Sequence, residues 1–177
     1  MGYLAFEDRD LKGISDALDI AEDKIGNFYK FSFGQWKRHR YDVKTLNSLS
    51  ENEISDYAFA MLNKCSRAAK GYQSRTMIRD FYLICLQDHC ILDALARDKD
   101  LSLHSLLVYV FTHELVHIVR FCNFFQRYEI SGKGKEDEER LVHNITYEIL
   151  KDSNLPKMDY VLNSYLGHRR LFELNAC

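Results

Sequence analysis

The chain has 177 residues, of which 46% are hydrophobic and only one is proline, and its formal net charge at pH 7 is -2. This composition is typical of a single helix-rich globular domain spanning residues 1–177, and the small charge excludes a general attraction to nucleic acid or anionic lipid. There is no signal-peptide pattern at the amino terminus and no uninterrupted apolar run of about 18 residues, so the sequence predicts a cytoplasmic protein that does not cross a membrane. Five cysteines without a Cys-x-x-Cys pair favour reduced thiols over a disulfide framework.

The first half of the chain predicts two helices separated by a strand-forming segment. Apolar residues at helical spacing place the first helix at about residues 8–25, and aromatic and β-branched residues in segment 27–46 favour one or two strands. Ser50 and Glu53 form a capping box that predicts the start of the second helix, which we expect to end at Gly71.

The middle of the chain predicts a short buried strand and a long buried helix. The apolar run Phe81–Leu86 is consistent with the strand, and a second short element follows at 90–95. From Leu101 to Arg127 there is no glycine or proline, and apolar residues occur on most sides of the expected helix. We therefore expect this helix inside the protein rather than on its surface.

The carboxyl-terminal part predicts a loop and two more helices. Segment 129–137 contains two glycines and several charges and is the clearest loop in the sequence. Helical spacing resumes over 138–151, and a last helix near 158–166 is expected to stop at Gly167.

The long predicted helix carries polar residues in its most apolar part. At about 100° per residue, His113, His117 and Arg120 share one stripe, and Glu114 lies beside it. Burying a carboxylate and two imidazoles without partners would cost several kcal/mol, so other side chains or a cation must compensate them. Histidines at positions i and i+4 direct their ring nitrogens to one point, and zinc binds such nitrogens at about 2.0–2.1 Å.

The segment from His113 to His117 reads HELVH, and it resembles the HExxH signature of the zincin metallopeptidases. The resemblance implies that the two histidines bind Zn²⁺ and that Glu114 acts as the general base. It does not extend to the metzincin subgroup, because Arg120 and Asn123 stand where that subgroup has a glycine and a third histidine.

In the gluzincins the third zinc ligand is a glutamate on a later helix, and the predicted helix 138–151 begins EERLVH. Glu139 is 22 residues beyond His117, which is similar to the small gluzincin-like peptidases called minigluzincins and favours Glu139 as the third ligand. His143 stands where gluzincins often have an aspartate that supports a histidine, so it could support the ligands or be a ligand itself. Glu138 is the other candidate, because it aligns with the inward apolar face.

The residues and the resemblance together predict an α+β, helix-rich zincin-like domain with a short sheet, an active-site helix and a later helix that carries a ligand. They imply a zinc metallopeptidase that hydrolyses peptide or amide bonds of a peptide or protein substrate through a zinc-bound water, with Glu114 as the base. Arg120, or a tyrosine such as Tyr147, could stabilise the oxyanion.

Other interpretations of the motif remain open. The histidines could be satisfied core residues, or the domain could be a non-catalytic binding or regulatory module that a metal stabilises. Glu114-x-x-His117 is also the spacing found in carboxylate-bridged di-iron bundles, but these need a second such pair, and Arg140 stands three residues before His143.

Three further features of the sequence are expected to be either structural or at the surface. The adjacent residues Asp88, His89 and Cys90 point in different directions, so they fit a loop or a strand end better than a metal or nucleophile site. His39 and His168 lie among basic residues and are expected at the surface.

Overall fold

The computed structural model describes residues 3–36, 39–67, 79–123, 127–129 and 131–165. These residues form the helix-rich α+β fold that the sequence predicts, with a small mixed sheet. Two single 3-10 turns, Leu46–Ser48 and Glu51–Glu53, lie between the first two strands. The helices and strands in chain order are α1 (Asp8–Tyr29), α2 (Phe33–Trp36), β1 (Tyr41–Lys44), β2 (Ala60–Arg67), β3 (Arg79–Leu86), α3 (Asp88–Arg97), α4 (Leu103–Cys122), α5 (Lys133–Leu150) and α6 (Met158–Tyr165).

Helix α4 forms the core of the protein. Every residue from Ser105 to Val119 is buried, because α1, α5, α6 and β2 all pack against this helix. Among the described residues it is the one helix whose length and hydropathy would suit a membrane span, but 89% of that stretch is buried inside the protein. The apolar residues all round α4 therefore match its position as a central helix.

Helix α1 packs along α4 through small side chains. Ile14, Ala17, Ala21 and Ile25 are buried at helical spacing, and the two alanines have no exposed surface. Alanine side chains let two helix axes approach closely, so α1 covers one side of the core helix. The first predicted helix is confirmed, and it continues four residues past the expected end at residue 25, to Tyr29.

The sheet has the order β1-β3-β2, with β3 at its centre. β1 runs parallel to β3, and β2 runs antiparallel to it. Tyr82 of β3 stacks on Phe121 of α4 with ring centroids 6.2 Å apart, which places the sheet beside the second half of the core helix. The strand predicted at Phe81–Leu86 is confirmed within β3, and segment 27–46 supplies one strand, β1, together with the short helix α2.

The helix predicted between Ser50 and Gly71 is wrong. The Glu53 carboxylate accepts hydrogen bonds from the Ser50 backbone N–H at 2.9 Å and from the Ser50 hydroxyl at 2.8 Å, so the capping box forms, but its helix ends after a single turn. Residues Ala60–Arg67 instead pair with β3. Five consecutive residues, 58–62, are buried, and continuous burial suits a strand covered on both faces better than a one-sided helix. Gly71 lies outside the described residues.

The elements that follow agree with the sequence except near their boundaries. The short element expected at 90–95 is part of helix α3. The loop expected at 129–137 is shorter than predicted, because α5 already begins at Lys133, directly after Gly132, whose φ is 59°. The last predicted helix corresponds to α6, and Gly167 lies outside the described residues.

Candidate metal centre

Helix α4 brings the two motif histidines together in the interior. His113 and His117 lie one turn apart and are 0% and 1% exposed. Their Nε2 atoms are 3.2 Å apart, so both rings turn the same nitrogen toward one point. The i, i+4 spacing on a regular helix is sufficient to produce this arrangement.

Helix α5 places Glu139 opposite both histidines. One carboxylate oxygen, Oε2, is 3.4 Å from His113 Nε2, and the other, Oε1, is 3.3 Å from His117 Nε2. The Glu139 side chain is 13% exposed, so this side of the cluster lies nearest to solvent. The structure therefore brings together the three residues that the resemblance favours as zinc ligands.

The spacing of these donor atoms fits zinc. When zinc–ligand distances are about 2.0–2.1 Å, the corners of a tetrahedral site are about 3.3–3.4 Å apart. The three separations among His113, His117 and Glu139 are 3.2, 3.4 and 3.3 Å. Each distance is close to a tetrahedral edge, with one Glu139 oxygen facing each histidine, and two imidazoles with one carboxylate form a donor set that zinc accepts.

The ionised Glu139 carboxylate sets the electrostatics of the cluster. Burial lowers the pKa of His113 to about 3, which keeps its imidazole neutral. Burial also opposes ionisation of Glu139, but the neighbouring His117 and His113 outweigh it and lower the pKa of the Glu139 carboxyl. His117 has a raised pKa, because the negative charge of Glu139 outweighs the effect of burial. A neutral imidazole beside an ionised carboxylate presents lone pairs to the same point, as metal coordination requires.

Glu114 is buried beside the cluster without belonging to it. Glu114 is 3% exposed. Its side chain forms no hydrogen bond with the part of the chain that the structure describes. Burial raises the pKa of Glu114 to about 7, with a smaller opposing effect of His117. A carboxyl group with a pKa near neutrality can both accept and return a proton, which is the requirement for a general base.

His143 also lies at the cluster, one turn after Glu139 on α5. A ring nitrogen of His143, one of His113 and a carboxylate oxygen of Glu139 all lie within 4.8 Å of one another. The Nδ1 atom of His143 is 2.8 Å from the hydroxyl of Tyr109. Burial lowers the pKa of His143, so its imidazole is neutral at pH 7.

Glu138 and Arg120 are paired with each other in the structure. Arg120 donates from Nε and Nη2 to the two carboxylate oxygens of Glu138 at 2.6 and 2.8 Å. Glu138 is therefore paired with an arginine instead of facing the histidines, and Arg120 is held in the same bidentate contact. Tyr147 lies one turn beyond His143 and is partly buried against the core.

Tyr109 is the residue at the site that the sequence analysis missed. It lies four residues before His113, so Tyr109, His113 and His117 follow one another at i, i+4 and i+8 on the same stripe of α4. That spacing was a usable signal, but a tyrosine in an apolar helix is ordinary core composition. Its importance comes from the contact with His143 on α5.

Two other sequence expectations are corrected by the structure. His39 is not a surface residue: it is 8% exposed and stacks on Phe31 with ring centroids 5.2 Å apart. Asp88 and His89 begin helix α3 instead of ending a loop or strand, and the Asp88 carboxylate accepts the backbone N–H groups of Phe6 and Leu46 at 3.0 and 3.1 Å. These are structural roles, as the sequence suggested for the Asp88 cluster. His168 lies outside the described residues.

Comparison of the chain with protein-family models, with curated proteins and with solved structures finds no match. The chemistry of the centre is therefore inferred from its own residues.

Proposed function

We propose that the protein is a zinc-dependent hydrolase of peptide or amide bonds, with His113, His117 and Glu139 as the zinc ligands. The observation that carries this proposal is the convergence of the two histidine Nε2 atoms and the Glu139 carboxylate, whose contact distances are 3.2–3.4 Å, on a donor set that zinc accepts. A zinc ion at this position would supply Lewis-acid chemistry, which polarises a carbonyl oxygen and acidifies water.

The chain's own residues supply proton transfer and orientation. Glu114 takes the proton of the attacking water and passes it to the departing amine, and its pKa of about 7 suits both steps near neutral pH. The bidentate pair of Arg120 and Glu138 links α4 to α5. This pair holds the helix that carries Glu139 against the helix that carries the histidines.

Substitution of Glu114 by glutamine tests the proposal, because glutamine keeps the size of the side chain but cannot accept the proton. We expect zinc content to remain near one per chain and hydrolysis to be lost. Thermal stability should stay the same or increase slightly, since a buried carboxyl group is removed. The measurement is metal analysis together with an unbiased digest of a peptide library, in which new amino termini are identified.

Glu136→Gln is the matched control, because Glu136 is an exposed glutamate on α5. It should cleave the library as the wild type does. Equal cleavage by wild type and Glu114→Gln would exclude Glu114 as the base, and a wild-type chain that binds no zinc would refute the whole proposal.

A metal-stabilised module without catalytic activity is the second candidate function. It is supported by the position of His143 within 4.8 Å of the His113 and Glu139 donor atoms, because a site with four protein ligands is typical of structural zinc. Tight zinc binding with no cleavage by either wild type or Glu114→Gln would favour this candidate.

A further inference from the structure

Helices α4 and α5 each present a pair of metal-binding side chains one turn apart. His113 and His117 form the pair on α4, and Glu139 and His143 form the pair on α5. Two i, i+4 pairs on packed helices bring four potential donor groups to the contact between α4 and α5. Four is the number that a closed tetrahedral zinc site requires.

The fourth of these groups, His143, is close enough to take part. One of its ring nitrogens lies within 4.8 Å of a ring nitrogen of His113 and of a carboxylate oxygen of Glu139, and its ring centroid is 4.6 Å from that of His113. Both values place His143 among the side chains that could hold the same ion as His113 and Glu139.

Tyr109 gives His143 the orientation of a ligand. The Tyr109 hydroxyl contacts Nδ1 of His143 at 2.8 Å, so coordination would use Nε2. Histidines that bind metals usually donate their other ring N–H to an oxygen, which fixes the tautomer and the ring plane. Tyr109 supplies that oxygen.

The site is least buried on the side where His143 lies. His113 and His117 are fully buried, whereas Glu139 and His143 are only partly buried. A substrate that approaches from solvent therefore meets His143 before it meets the two buried histidines. A ligand in this position can leave the metal without disturbing the core.

We infer that His143 is the fourth protein ligand of the resting zinc site and that it must be displaced before a substrate can bind. This inference rests on the proposed function, since it describes how that zinc site is regulated. While His143 is bound, the site has no open position and the hydrolase is latent. Displacement of its imidazole would open one coordination position.

X-ray absorption at the zinc edge tests the inference on the full chain loaded with one zinc, because it counts imidazole ligands directly. We expect three imidazoles in the wild type, two in His143→Ala and three in His104→Ala, a control that removes a histidine elsewhere on α4. The number of imidazole ligands in the wild type is measured without any variant, so the inference can still be tested if His143→Ala does not fold. Two imidazoles in both wild type and His143→Ala would overturn the inference and leave the three-ligand hydrolase intact.

Binding of acetohydroxamate to the cobalt-substituted protein gives a second measurement, followed by the visible spectrum of cobalt. If the site is open in about 10% of wild-type molecules or fewer, His143→Ala should bind this small ligand about tenfold more tightly or better. Tyr109→Phe, which removes the hydrogen bond to Nδ1, should lie between the two. Equal affinity in wild type and His143→Ala would overturn the inference, and absence of cobalt or zinc from the wild type would overturn the proposed function as well.

Discussion

Removing one partner of the ion pair between Arg120 and Glu138 should cost more stability than doing so at any other ion pair among the described residues, although neither side chain is proposed as a ligand. It is bidentate, with N–O distances of 2.6 and 2.8 Å. The Arg120 side chain is 13% exposed and the Glu138 side chain is 1% exposed. Apart from the pair of Lys44 and Glu53, each of the other arginine and lysine pairs has at least one side chain that is more than a third exposed. Replacing Glu138 with glutamine removes one charge and leaves the Arg120 guanidinium without its partner.

The magnitude follows from this burial. Breaking a fully buried pair costs about 3–5 kcal/mol, and the slight exposure of Arg120 places this pair near the lower end, at about 3 kcal/mol. In a domain of this size each kcal/mol corresponds to about 2–4 °C in Tm, so Glu138→Gln should melt about 6–12 °C below the wild type. Zinc content should remain near one per chain, because Glu138 does not face the histidines.

Urea unfolding and thermal melting of the metal-free protein measure the effect, since neither then depends on zinc affinity. Glu136→Gln is the control, as it changes the same residue type at an exposed position of the same helix, and it should lie within about 0.5 kcal/mol of the wild type. Replacing Arg120 and Glu138 together by methionine should recover most of the loss, because no uncompensated charge remains.

Two results would refute this reasoning. Glu138→Gln could be as stable as Glu136→Gln, which would mean that the buried charge of Arg120 finds water or another partner at no cost. Alternatively, Glu138→Gln could lose its zinc while Glu139→Gln retains it, which would mean that the ligand assignment on α5 is wrong by one residue.

The remaining predictions concern the ligand, the capping box and a glycine. Glu139→Gln should lower zinc affinity by at least about 10–100-fold, the loss that is usual when a residue hydrogen-bonded to a metal ligand is removed. Competition with a chelator measures this affinity, and an unchanged value would contradict the proposed site. The backbone N–H of Ser50 and the ammonium of Lys44 outweigh burial and lower the pKa of Glu53. Glu53 therefore stabilises the fold at pH values above its unfolded pKa of about 4.5. This contribution is lost as the pH falls through the lower pKa of the folded state. The stability difference between wild type and Glu53→Gln should thus shrink in urea titrations from about pH 7 to about pH 3, and a constant difference would be inconsistent with this linkage. Gly132 has φ 59° and ψ -139° with open space around it, so Gly132→Ala should lower the free energy of unfolding by about 1–3 kcal/mol through backbone strain alone. Gly13→Ala within α1 should instead raise it by up to about 1 kcal/mol. Equal effects of the two substitutions would exclude strain as the cause.

The sequence alone was sufficient for the features that depend on neighbours a few residues apart. The apolar periodicity of α1, and in α4 the absence of glycine and proline with apolar residues on most sides, correctly predict both helices, because a helix places residues three and four apart on one face. For the same reason the spacing of His113 and His117 predicts that their ring nitrogens converge, and they lie 3.2 Å apart. Glu139 was favoured by its resemblance to a family pattern, and the structure places it 3.3–3.4 Å from both histidines.

The tertiary structure decided the features that depend on residues far apart in the chain. Segment 60–67 has helical spacing and a capping box before it, yet it pairs with β3 along its whole length, because the hydrogen bonds across the sheet outweigh local propensity. Glu138 and Glu139 are adjacent on α5 and chemically alike, and only the packing of α5 on α4 directs one toward Arg120 and the other toward the histidines. The contact of Tyr109 with His143 spans 34 residues, and no local pattern encodes it, since it exists only when two helices fix the distance between their facing side chains.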